Sequence, residues 1–155
     1  MIKTFSFAAA IVALGTLGVP ATAEPGYEII RDRVYVERDS GPLKVDMYVP
    51  HGAGPFPAIL VVHGGAWVSG TKDQLTLAAR YLAEHGYVAA AISYRLAPTN
   101  TFPAQIYDCQ AAVRWLREHA GDFKIEPTRI GGWGALAGGG LVAGWGGPGG
   151  KKIFG

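Results

Sequence analysis

Cysteine is almost missing from this chain: Cys109 is the single one in 155 residues. That excludes an internal disulfide framework and any multi-cysteine zinc site. An excess of charge of one sign is missing too. Fourteen Lys and Arg face twelve Asp and Glu, a formal net charge of +2. Nucleic-acid binding wants a concentrated basic stripe, and this balance removes the electrostatic case for it. Charged residues make up only 17% of the chain against 49% apolar, which argues against intrinsic disorder. No apolar run reaches the ~20 residues that a membrane span takes. A chain of 155 residues suits one domain, since domains run to roughly 100–200 residues. Glycine is the opposite case, with 23 in total and 12 of them between Gly131 and Gly155.

Residues 1–23 read as an export signal. Lys3 gives a positive start, Phe5 to Val19 is uncharged and mostly apolar, and Ala21-Thr22-Ala23 is the small-x-small pattern that signal peptidase accepts. Cleavage is expected before Glu24, leaving a mature chain, 24–155, in the periplasm or outside the cell. No cysteine marks a lipoprotein site there, so no stable membrane anchor is expected after cleavage. Exported or not, a lone Cys109 cannot pair within its own chain.

Lys44 to Val49 alternates polar and apolar, the pattern of a strand with one wet face. Tyr27 to Arg38 precedes it across Asp39-Ser40-Gly41, so the two read as a hairpin. Pro57 to Val62 and Tyr87 to Ser93 are continuous apolar runs, as expected of strands covered on both faces. Between them, Thr71 with Gln74 forms a capping box. Leu75, Ala78, Ala79 and Leu82 follow at helical spacing, and Gly86 suits the stop. Pro103 opens a second helix, with Ile106, Cys109, Val113 and Leu116 on one face. Arg129 to Trp133 reads as one more short strand. Strand–helix alternation implies right-handed crossovers and a largely parallel sheet. Ligands of such sheets bind beyond the carboxyl ends of the strands, which directs attention to His63 onward, Arg95 onward and Gly134 onward.

Two glycines in His63-Gly64-Gly65-Ala66-Trp67 let backbone N–H groups turn toward a ligand. Such donors can stabilise an oxyanion, and losing one typically costs ~10²–10³ in rate. His63 itself reads as a structural histidine. With Ser93-Tyr94-Arg95-Leu96-Ala97-Pro98, Phe102-Pro103-Ala104-Gln105, Asp108 to Leu116 and Arg129 to Ala135, the motif set resembles the α/β-hydrolase superfamily. Within it the chain is most similar to hormone-sensitive-lipase-like and feruloyl-esterase-like carboxylesterases, their N-terminal portion only. The resemblance implies an α/β fold, a truncated α/β-hydrolase with a mostly parallel sheet and helices on both faces. It also implies a serine acyl-enzyme mechanism on a small ester substrate, with no metal and no organic cofactor. Gly64, Gly65 and Ala137 would carry the oxyanion-hole N–H groups.

The family's nucleophile elbow is Gly-x-Ser-x-Gly, and here it reads Gly134-Ala135-Leu136-Ala137-Gly138. Leucine cannot attack a carbonyl, and Ser40, Ser69 and Ser93 lie in no elbow pattern. In the family the triad acid and base follow the nucleophile, yet residues 137–155 contain no Asp, Glu, His or Ser. No catalytic residue is therefore intact, and the chain is expected to be inactive. Cys109 belongs to a buried helix face. Gly138, Gly139, Gly140 and Gly144 should leave the helix after the elbow barely stable at ~1 kcal/mol each, and Gly140 stands where the family tends to have histidine. The degenerate glycine-rich end, 137–155, reads as a corrupted or shortened frame. The alternative is a non-catalytic α/β-hydrolase-like binding or interaction fragment. Arg95 and Asp108 are expected to pair structurally, and Asp73 to answer a helix dipole. Trp67 and Tyr94 each suit either a pocket or the core.

Overall fold

The two continuous apolar runs become the centre of a five-stranded sheet. The computed structural model describes residues 26–146. The export-signal segment, 1–23, and residues 147–155 of the glycine-rich end lie outside the described residues. Strands β1 (Tyr27–Val36), β2 (Leu43–Pro50), β3 (Phe56–Val62), β4 (Val88–Ile92) and β5 (Ile125–Gly134) are joined by helices α1 (Thr76–Glu84) and α2 (Ala104–Glu118). A third helix, α3 (Ala137–Gly146), follows β5. The strand order is β1-β2-β4-β3-β5. Strands β4, β3 and β5 are parallel, while β2 runs antiparallel to both its neighbours. One reversed strand near an edge of an otherwise parallel sheet is the expected α/β arrangement, with helices on both faces.

Alternation along β4 distributes the core. Val88, Ala90 and Ile92 face a cluster with Cys109, Val113 and Leu116 of α2 and Leu141 of α3. Ala89 and Ala91 face Ala79 and Ala83 of α1 across Tyr48 and Val61. Small residues on both surfaces let α1 lie close to the sheet. Gly86, at φ +83°, ends α1 as expected, and the Tyr87 N–H reaches back to the Leu82 carbonyl at 3.0 Å.

Two expectations are corrected. Strand β2 has no wet face: Val45, Met47 and Val49 enter one core cluster and Tyr48 the other. Asp46 between them is 1% exposed. It is tolerated because Arg31 and Lys72 reach its Oδ2 at 2.9 Å each and the Asp32 N–H reaches its Oδ1 at 2.8 Å. Buried carboxylates need this kind of pairing. No capping box forms either. Lys72–Leu75 is a 3-10 turn with no side-chain cap, and Thr71 Oγ1 contacts Asp73 Oδ2 at 3.4 Å. Lys72 is drawn down onto Asp46 instead. In α3, close packing against β3 demands glycine at one position. A Cβ on Gly138 would press into the Val62 carbonyl oxygen and lie 2.6 Å from that of His63. Leu141, one turn on, anchors the helix in the core. The β5 segment is longer than the five residues expected, but its pairing with β3 runs chiefly from Ile130 to Gly134.

Candidate active site

Loops leaving the carboxyl ends of β3, β4 and β5 meet beside the start of α3. The β3 loop is wound tightly: Gly65 has φ +115°, Ala66 +52° and Trp67 +63°. The Val68 and Ser69 N–H groups close it on the Gly65 carbonyl at 3.0 and 3.1 Å. Only glycine fits at position 65, where a Cβ would press into the Ser69 carbonyl. Gly64 abuts the elbow itself, its Cβ position 2.9 Å from the Ala135 carbonyl and 3.4 Å from the Leu136 Cβ.

The turn expected to be the elbow, between β5 and α3, is tight. Gly134 has no room for a side chain, since a Cβ there would press into Gly138 and lie 2.7 Å from the Gly139 nitrogen. Leu136 between them has φ +50° and is 90% exposed. A left-handed non-glycine residue costs about 1–3 kcal/mol and persists only where its surroundings impose it. An exposed leucine gains nothing from burial in return, so the strain belongs to the turn and not to this side chain. Ala137 begins α3, and the first N–H groups of a helix have no intrahelical acceptor.

Trp67 ties the three loops together. Its Nε1–H donates to the Ala137 carbonyl at 3.2 Å, and its own carbonyl accepts the Ala97 N–H at 2.8 Å. Of the two aromatics, Trp67 is partly exposed beside this turn, while Tyr94 is buried in the core. The Tyr94 hydroxyl nevertheless donates to the His63 carbonyl at 2.9 Å. His63 is buried, stacks on Tyr94 with centroids 4.2 Å apart, and donates from Nδ1 to the Gly64 carbonyl at 2.7 Å. Burial lowers its pKa below 6.5, opposed by that hydrogen bond. It is a structural histidine, as expected.

The remaining candidates are engaged elsewhere in the fold. Among the described residues, Ser69 Oγ donates within its own loop, to Gly65, at 3.3 Å. Ser93 is engaged through its backbone with Lys44 and Tyr35. His85 and His119 close the ends of α1 and α2 on the carbonyls of Tyr81 and Trp115. Cys109 is fully buried, and burial followed by the nearby Asp108 charge pushes its thiol up to about 12. Asp108, 0% exposed, binds Arg95 through both carboxylate oxygens at 2.9 to 3.1 Å and through the Arg95 N–H at 3.0 Å. Arg38, at the end of the hairpin, adds a further bond to Oδ1 at 3.0 Å. The expected Arg95–Asp108 pair is therefore present, and Arg38 is a partner that the sequence did not suggest. Among the described residues no group of three His, Cys, Asp or Glu could hold a metal ion, and no helix is long and apolar enough to cross a membrane.

This geometry can be set beside known proteins. The BD-FAE family model matches residues 45–152. A Saccharolobus solfataricus arylesterase is 34% identical over 102 residues, which is 65% of this chain and 33% of that one. The Mycobacterium tuberculosis carboxylic ester hydrolase LipN is 34% identical over 125 residues, 78% of this chain and 33% of its own. Butyrate-bound Thermogutta terrifontis esterase 2 superposes with a TM-score of 0.68 at 34% identity, covering 77% of this chain and 44% of the esterase. A bacterial heroin esterase gives a TM-score of 0.66 at 35% identity, over 76% and 37% of the two chains. The chain spans about a third of the length of these curated relatives.

Proposed function

The chain belongs to the BD-FAE family of α/β-hydrolase carboxylesterases, and from that premise we propose that the elbow at Gly134–Gly138 is the acyl-transfer site of a carboxylic ester hydrolase whose nucleophile position is occupied by Leu136. The observation that carries this is the strained, 90% exposed Leu136 at φ +50°, packed beside Gly64. On this reading Leu136 stands where an attacking hydroxyl would, and it has none. Gly64, Gly65 and Ala137 would offer their N–H groups to an acyl oxygen, the arrangement that stabilises the oxyanion in acyl transfer. Trp67 would cover one side. Without a hydroxyl at position 136, no acyl-enzyme forms, so the site recognises an ester or carboxylate and does not turn it over. That combination also suits the second reading, a non-catalytic binding member of the fold, and Leu136 at an otherwise intact elbow is the observation in its favour.

Two measurements test the proposal. Purified protein is assayed on a short-chain aryl ester against a heat-treated control, with no saturable turnover expected. Turnover above about 1 s⁻¹, inside the ordinary enzyme range, would overturn the loss of catalysis. Butyrate is then titrated into ¹⁵N-labelled protein, and the amides of Gly64, Gly65 and Ala137 should shift together. Shifts confined elsewhere would remove the acyl site. The protein is further proposed to act in the periplasm or outside the cell, and N-terminal sequencing of exported material should begin at Glu24. An exported product retaining Met1 would refute cleavage.

A further inference from the structure

We propose that His63 and Tyr94 are positioning residues that each fix the plane of one of the two consecutive peptides carrying the Gly64 and Gly65 N–H groups. The inference rests on the reading of those groups as acyl-oxygen donors and deepens it. A trans peptide is planar, so the carbonyl of one residue and the N–H of the next point in opposite directions from one rigid unit. Holding a carbonyl therefore aims the N–H that follows it. The Tyr94 hydroxyl holds the His63 carbonyl at 2.9 Å, and the N–H on that plane belongs to Gly64. The His63 ring holds the Gly64 carbonyl at 2.7 Å, and the N–H on that plane belongs to Gly65.

The two clamps are themselves one unit. Their rings stack 4.2 Å apart with an interplanar angle of 13°, and both side chains are buried. Gly70 leaves the necessary space, since a Cβ there would lie 2.5 Å from His63 Nδ1 and 2.6 Å from the Gly64 oxygen. The clamps answer a specific weakness. Glycine populates positive and negative φ about equally, so a Gly-Gly pair left alone would rotate its N–H groups away from any common point. In this arrangement the glycines supply the close approach and the buried aromatic pair supplies the direction.

The test uses ¹⁵N relaxation on the intact chain and on two variants that keep a ring in the stack but remove one donor. Tyr94→Phe should lower the order parameter of the Gly64 amide from a rigid value near 0.85 to below about 0.6 and leave Gly65 rigid. His63→Phe should do the reverse. A general loss of packing would loosen both amides together and much of the β3 loop with them, and that result overturns the proposal, as does rigidity of both amides in either variant. If His63→Phe does not fold, the Tyr94→Phe result at Gly64 decides alone. Order parameters need no ligand, so a failed clamp is distinguishable from a failed acyl site, which the butyrate titration reads separately.

Discussion

Gly138 and Gly140 lie two residues apart on α3, yet the same alanine substitution should move stability in opposite directions at the two. An interior helix position favours alanine over glycine by ~1 kcal/mol. At Gly140 that gain is available, because the nearest atom to an added Cβ is Trp67 Cζ2 at 3.9 Å, an ordinary contact. Gly140→Ala should therefore stabilise by about 0.5–1 kcal/mol and raise Tm by roughly 2–6 °C. At Gly138 the same Cβ meets the carbonyl oxygens of Val62 and His63. Overpacking costs about 1–3 kcal/mol even where side chains can give way, and here the obstacles are main chain at the end of β3. Gly138→Ala should thus lose about 2 kcal/mol or more after the propensity gain is subtracted. Gly139 is intermediate, its Cβ position 3.1 Å from the Gly134 carbonyl. Thermal scans by circular dichroism on the three variants supply the comparison. If Gly138→Ala melts with or above the unsubstituted protein, α3 does not cross β3 as closely as described, and the elbow geometry built on that crossing falls with it.

Other outcomes follow from the same contacts. Leu136→Ser alone should give no saturable ester turnover, because a serine is weakly nucleophilic without an adjacent base and the nearby His63 is committed to Gly64 and Tyr94; burst-phase acylation would refute this. Burial lowers the His63 pKa from 6.5, so the unfolded chain binds the proton more readily. The stability tied to this group is fully present above pH 6.5 and is lost as pH falls through the folded value. Urea titrations across that window should show a slope that His63→Phe removes. Cys109, buried and with its thiol pushed up to about 12, should resist a thiol reagent at pH 8 in native protein and react only on unfolding; rapid native labelling would contradict the core placement.

Much of the sheet was legible because strands β3 and β4 are continuous apolar runs, and no partner is needed to recognise them as doubly covered. Strand β2 was legible as a strand and not as a buried one. The residues that allow Asp46 inside are Arg31 and Lys72, 15 and 26 positions away in sequence, so local alternation looks the same whether or not those partners arrive. The glycines around the elbow were only partly legible for a related reason. In sequence Gly138 counts only against its helix, whereas in the fold Gly134 and Gly138 also answer close approaches between β3, β5 and α3 that no window along the chain contains. The position of Leu136 was readable from spacing, but its left-handed backbone was not. Tyr94 could be placed in a pocket or a core with equal justice until its hydroxyl was found on the His63 carbonyl.

The carboxylate of Asp108 has a consequence for the order in which the protein assembles. Arg95 lies 13 residues away from it and Arg38 lies 70. The first bond closes a short loop, so it can form as soon as α2 meets β4. The second closes a loop about five times longer, and each doubling adds ~0.6 kcal/mol to the entropy of closure. The hairpin should accordingly be latched last, after α2 has already been seated. Interactions absent from the folding transition state act on unfolding and not on folding. Loss of the Arg38 guanidinium should therefore leave the refolding rate nearly unchanged and make the native hairpin open sooner, which makes Arg38 a determinant of how long the fold lasts rather than of how quickly it is reached.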